Sequence, residues 1–167
     1  MPVAALLTAF AVALGPHGIG KTHFGLTKAA TITELNAMFG PPDARGVNTG
    51  CSPRYTEVVW GDLAIEFRSS IFSGYRYMKG GYPITTAGSP HEAHPPKSPT
   101  PKLATATGIS LGNTLAQVRA AYGRLAFVGT DRWRAANGLV FYDDAMHDPE
   151  PPSSRIVEIK IGTCGDF

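Results

Sequence analysis

Apolar positions along this chain fall into two patterns, helical and alternating, and the pair occurs twice. Residues 31–40 read TITELNAMFG and residues 114–123 read TLAQVRAAYG. The two align without a gap as T-[IL]-x-[EQ]-[LV]-x-A-x-[FY]-G. Ile32, Leu35 and Phe39 share one helical face, as do Leu115, Val118 and Tyr122. Thr31 with Glu34, and Thr114 with Gln117, have the spacing of a capping box, which satisfies the free amides of a helix start. Gly40 and Gly123 stand where a helix ends in left-handed geometry.

Strand patterns follow each helix. Tyr55–Trp60 and Leu63–Phe67 flank Gly61-Asp62 in the first half. Arg132–Ala136 and Leu139–Tyr142 flank Asn137-Gly138 in the second, and Asn-Gly suits a two-residue hairpin turn. A third strand follows each pair, Phe72–Met78 and Arg155–Ile161, and the latter alternates cleanly. Between the halves, residues 83–106 hold six prolines and few large apolar residues. Proline donates no backbone hydrogen bond, so this stretch reads as a linker or surface loop. The expected fold is α+β: two tandem repeats, each a short helix followed by a three- to four-stranded antiparallel sheet. The first repeat covers residues 14–82 and the second 107–167. One such unit buries little apolar surface alone; two packed together bury more.

Residues 3–14, VAALLTAFAVAL, do not fit either pattern. The run is shorter than the roughly 20 residues that span a bilayer. It matches the apolar region of a secretory signal, and Ala11-Val12-Ala13 gives a small-x-small cleavage pattern before Leu14. Residues 1–13 are therefore expected to be a targeting segment, and the protein to be secreted or held in the cell envelope. No Lys or Arg precedes the run, a departure from the usual signal.

Two lead-ins precede the helices: Gly18-Ile19 with Phe24-Gly25-Leu26-Thr27, and Gly108-Ile109 with Leu111-Gly112-Asn113-Thr114. With the helix and hairpin that follow, each resembles the repeat of the bacterial β-lactamase inhibitor protein family. It is also similar to the SmpA/OmlA-type outer-membrane lipoproteins. The resemblance implies a two-repeat fold and a protein partner. It departs from the inhibitor family in its cysteines, since that family has a disulfide inside each repeat. Here Cys51 and Cys164 are the only two, one per half. An even count in an exported chain favours pairing, which would tie the halves together; two free thiols are the alternative.

Composition narrows the chemistry. A net charge of +2 with 17% charged residues excludes nucleic-acid binding through bulk charge. Residues 15–22, GPHGIGKT, satisfy the phosphate-loop pattern, with Lys21 and Thr22 as ligands and Asp143 or Asp144 as the metal carboxylate. That gives an alternative reading, a P-loop nucleotide-binding enzyme. Against it stand an Ala-rich preceding run and hairpins downstream instead of the crossover helices a parallel sheet needs. His91, Glu92 and His94 lie in the proline-rich stretch, and His17, His23 and His147 are scattered, so no metal site is expected. No nucleophile elbow occurs. No cofactor is expected, and the reading leans away from an enzyme towards a binding module. Its expected partner is a protein or envelope component, met through a sheet face. Tyr75 and Tyr77 share one strand face beside Gly74, and Trp133 with Arg134 adds residue types common in interface hot spots. These four are the candidate binding residues, on the face expected to be open.

Overall fold

A computed structural model describes residues 12–48, 54–79, 102–129, 131–145 and 152–162. Cys51, Cys164, His91, Glu92, His94 and His147 lie outside the described residues, so the expected disulfide does too.

Both helices start at a Gly-x-Thr sequence. In α1 (Lys28–Phe39) the Thr27 hydroxyl accepts from the Ala30 amide. In α2 (Leu115–Tyr122) Thr114 and Gln117 form the expected capping box. Each helix ends at a glycine of positive φ, Gly40 at 80° and Gly123 at 71°. The box expected at Thr31 and Glu34 is not formed. Thr31 lies buried inside α1, and its hydroxyl donates to the Thr27 carbonyl at 3.0 Å. The first helix begins one turn early, at 12 residues against 8 in the second. Thr27, not Thr31, is thus the counterpart of Thr114.

The strands form two sheets. The larger one holds β4 (Ala44–Asn48), β5 (Tyr55–Trp60), β6 (Leu63–Arg68), β7 (Ile71–Met78), β9 (Ala126–Gly129), β10 (Arg132–Arg134), β11 (Val140–Asp143) and β12 (Ile156–Ile161). Its order is β4-β5-β6-β7-β12-β11-β10-β9, antiparallel throughout. The smaller sheet joins β1 (Val12–Gly15), β2 (Gly18–Ile19), β3 (Thr22–His23) and β8 (Leu103–Thr105) in the order β3-β2-β1-β8. There β1 runs parallel to β8. The fold is therefore α+β, with two helices and two mostly antiparallel sheets. Both predicted hairpins are present. Gly61-Asp62 makes a two-residue turn between Trp60 and Leu63. The second turn takes three residues, Ala136-Asn137-Gly138, of which only Gly138 has positive φ. There Gly138 N–H donates to Ala135 O, and Ala135 N–H donates to Leu139 O.

Backbone hydrogen bonds tie each helix start to the last strand of its half in matching ways. Gly25 N–H donates to Phe72 O, Phe72 N–H to Leu26 O and Lys28 N–H to Ser70 O, all at 2.8–2.9 Å. Gly112 N–H donates to Ile156 O, Ile156 N–H to Asn113 O and Leu115 N–H to Ser154 O, again at 2.8–2.9 Å. The capping threonines pair in the same sense, Thr27 with Ile71 and Thr114 with Arg155.

Two boundaries differ from the sequence reading. Val12 and Ala13, expected to leave with a targeting segment, pair with Leu103 and Ala104. Leu103–Thr105, expected inside the linker, is a strand. The reason is the same in both cases: Val12 packs against the core and Leu103 is buried in it.

That core lies on one face of the large sheet. Leu35 of α1, Val118 of α2 and Leu14, Ile19 and Leu103 of the small sheet meet Ile65, Tyr75, Tyr77, Phe141 and Ile159. Tyr75 is 0% exposed and Tyr77 5%, which overturns the expected open tyrosine ridge. A tyrosine suits a core when its hydroxyl finds an acceptor. Here the Tyr75 hydroxyl donates to the Gly15 carbonyl at 3.0 Å, across the interface with β1.

Burial, with a smaller contribution from Tyr122, pushes the Tyr75 phenol well above its ordinary value. Tyr77 is raised too, chiefly by burial. A phenol raised in the folded state ionises first in the unfolded one. Its stabilisation is complete below the unfolded value of about 10 and is lost as pH climbs above that. Thermal melts should therefore show falling stability above pH ~10, less steeply in Tyr75→Phe. At neutral pH, Tyr75→Phe should cost about 1–2 kcal/mol in denaturant titrations, because the Gly15 carbonyl loses its donor. A backbone test concerns Gly74. A Cβ there would sit 2.7 Å from the Gly162 and Ile161 carbonyl oxygens. Gly74→Ala should cost about 1–3 kcal/mol in the same titrations, since backbone must shift to admit it.

Candidate functional site

Residues 15–22 do not make a phosphate loop. They form two tight turns joining β1, β2 and β3, antiparallel at both pairings. Within the motif, Gly20 N–H is spent on the chain itself, donating to Ala13 O at 2.8 Å, and His17 O accepts from Phe24 N–H at 2.9 Å. Thr22 is buried in a strand, and the helix begins only at Lys28. The strand–loop–helix order that places a lysine on phosphate is absent from this segment.

Side chains alternate along a strand, so residues the core does not take point to the other face of the large sheet. Cross-strand register assembles a charged file there. Glu57 stands opposite Glu66, and Ala64 opposite Arg76. Arg76 stands opposite Lys160 and Met78 opposite Glu158. Glu158 then faces Tyr142, and Tyr142 faces Arg132. The apolar cluster on this face, Val59 and Ala64 with Ala44 and Met78, draws only on the sheet's own strands. Both helices and the small sheet are on the opposite side.

The charges are arranged by partner. Arg76 Nε lies 3.1 Å from Glu158 Oε1. That diagonal contact offsets the like-charge opposition of Arg76 and Lys160. The Lys160 ammonium sits over the Tyr142 ring, 4.8 Å from its centre, and the Arg132 guanidinium lies 5.9 Å from the same ring. Accessibility is graded across the face. Glu57, Glu66, Glu158 and Lys160 are buried, whereas Arg76, Tyr142, Arg132 and Arg134 are partly exposed. The reachable members of the file are thus Arg76 on β7 and Tyr142, Arg132 and Arg134 on β11 and β10.

The four sequence candidates do not form one site. Tyr75 and Tyr77 are core. Trp133 lies on the helix side of β10, its indole N–H donating to Asp143 Oδ2 at 3.1 Å. Its ring is held between Phe127, 5.1 Å away, and the Arg119 guanidinium, 4.6 Å away. Arg134 points the other way, along the charged file, one strand from the sheet edge. Sequence reasoning missed Arg76, Glu158, Lys160 and Tyr142. Their common signal was alternation: each lies next to a core residue, Tyr77, Phe141 or Ile159, and so on the opposite face of its strand.

A separate hollow of about 570 Å³ opens beside the start of α1, lined by Lys28, Arg45, Ser69, Ser70 and Ile71 among others. The Lys28 ammonium is already engaged there, donating to the Thr56 hydroxyl at 3.1 Å and lying 5.5 Å over the Phe67 ring.

No family model matches this sequence. No curated protein matches it either. A solved structure does: the chain is similar to the uncharacterized protein YfeY from Escherichia coli, with a TM-score of 0.57 at 12% identity, over 90% of this chain and 99% of that one. At that identity the likeness is one of fold.

Tyr142 should couple measurably to Lys160. A double-mutant cycle with Tyr142→Leu and Lys160→Met, read by denaturant unfolding, should give about 1 kcal/mol of interaction. Because Lys160 is buried, that coupling should survive 0.5 M salt, where an exposed ion pair would be largely screened.

Proposed function

We propose that this protein is an exported binding module of the cell envelope, without catalytic activity. It engages another protein or an envelope component through the sheet face turned away from its helices. One observation carries the reading. The core, both helices and the small sheet occupy one face, while the other holds a cross-strand file in which Arg76, Tyr142, Arg132 and Arg134 are partly exposed above buried glutamate and lysine. Arg and Tyr held in place by neighbours lose little side-chain entropy on binding.

The proposal extends to the architecture. The two halves are copies of one unit, a helix followed by four antiparallel strands, meeting at β7 and β12. The mirrored strand order and the matching hydrogen bonds at Thr27 and Thr114 support this. So does the sequence resemblance to the β-lactamase inhibitor proteins, which implies a protein partner.

Export rests on the apolar run before β1. The described part of β1 pairs with β8 at Val12, Ala13 and Leu14, so a leader removed after Ala9-Phe10-Ala11 would keep all of these pairs. Removal after Ala13 would delete two of its four residues.

A photo-crosslinking amino acid at Tyr142, in protein expressed in its native host, tests the reading. The same group at Thr33, exposed on α1, is the control. The expected outcome is a discrete adduct from position 142 only, in the envelope fraction, on protein whose mass begins at Val12. Equal adducts from both positions, or intact protein confined to the cytoplasm, would contradict it.

A further inference from the structure

The large sheet ends at β9, whose outer edge has no strand partner among the described residues. Natural edge strands are usually blunted by their own charges or by proline. Strand β9 reads Ala-Phe-Val-Gly and carries neither. Phe127 is 57% exposed, more than any other large apolar residue described.

The surroundings of this edge are ordered and cationic. Phe127 packs at a tilt against Trp133, which is fixed by its bond to Asp143 and backed by Arg119. Asp143 is itself occupied, accepting from Trp133 and from the Ala145 amide at 2.9 Å. On the opposite face of the edge, Ala126 lies beside Arg134 and Gly129 beside Arg132. A depression of about 610 Å³ opens alongside, lined by Arg124, Phe127 and Arg134 with Leu125 and three alanines.

An added strand would put alternate side chains on the two faces of this edge. One set would rest on the Phe127–Trp133 shelf. The other would meet the Arg132–Arg134 side. A second copy of this chain is a poor occupant, because pairing β9 with itself would bring the arginine clusters together. We propose that β9 is a strand-addition site for an extended acidic segment of a partner protein, in which apolar residues alternate with carboxylates. The site shares Arg132 and Arg134 with the charged face, but it also needs the β9 backbone edge and Phe127, which that face does not use. The Phe127→Ser and N-methylation arms therefore test it apart from the proposed binding face.

The test uses the full chain and a fluorescently labelled, N-acetylated peptide of alternating valine and glutamate, eight residues long. Anisotropy at low salt should give a dissociation constant of about 10–100 μM, with a lysine-for-glutamate peptide at least about tenfold weaker. Phe127→Ser and Arg134→Gln should each weaken binding by about fivefold or more while leaving the melting temperature unchanged. A peptide N-methylated at every second amide, on the edge that would face β9, should not bind, because strand addition needs those donors. Equal binding of the lysine peptide, or indifference to N-methylation on either edge, would overturn the proposal. So would no binding of the glutamate peptide at 1 mM, or a dimer in sedimentation that Phe127→Ser dissolves.

Discussion

The pairing of β7 with β12 is the constraint on which the rest of the molecule depends. It joins a mid-chain strand to the last described one and converts two four-stranded pieces into one eight-stranded sheet. Tyr75 pairs with Ile161 and Tyr77 with Ile159 on the core side, while Arg76 and Met78 meet Lys160 and Glu158 on the other. The approach is close enough that Gly74 has no room for a side chain. A wider residue there would separate the backbones at the centre of the sheet, where no edge flexibility can absorb the shift.

From that seam the two faces acquire different roles. Pooling the core sides of both halves lets α1, α2 and the small sheet close over one continuous interior. Tyr75 extends the linkage to the first described strand through the Gly15 carbonyl. The polar sides are pooled by the same step. Arg76 from the first half reaches Glu158 from the second, and Tyr142 with Arg132 continues the file outward. The proposed binding face is thus a product of the seam and belongs to neither half alone.

Much of this was legible in the sequence, and the failures have local physical reasons. The hairpins could be read because Gly61-Asp62 and Asn137-Gly138 punctuate apolar runs, and the helix ends because Gly40 and Gly123 follow apolar stripes. The start of α1 was misplaced because Thr31-Glu34 imitates a capping box; the Gly25-Leu26-Thr27 match to Gly112-Asn113-Thr114 was the better guide. Strands β4 and β9 are short, glycine-containing edges with no clear alternation. For Tyr75 and Tyr77 the alternation was right and the side was wrong. The core face is the one on which the helices and the small sheet pack, and the Tyr75 hydroxyl finds its acceptor 60 residues away, at Gly15, a contact no local pattern encodes. The phosphate-loop pattern at residues 15–22 was a coincidence of glycines that turn corners between short strands.

Native-state hydrogen exchange, resolved by residue, tests the central claim most directly, because it reports whether the seam opens separately from the whole. The account predicts that amides of Tyr75–Met78 and Glu158–Ile161 exchange only through global unfolding. Their free energy of opening should equal that of the β5–β6 and β10–β11 hairpins. Seam amides that exchange at a distinctly lower free energy, with the hairpins still protected, would mean that the halves part before they unfold. That result would contradict a single core built across β7 and β12.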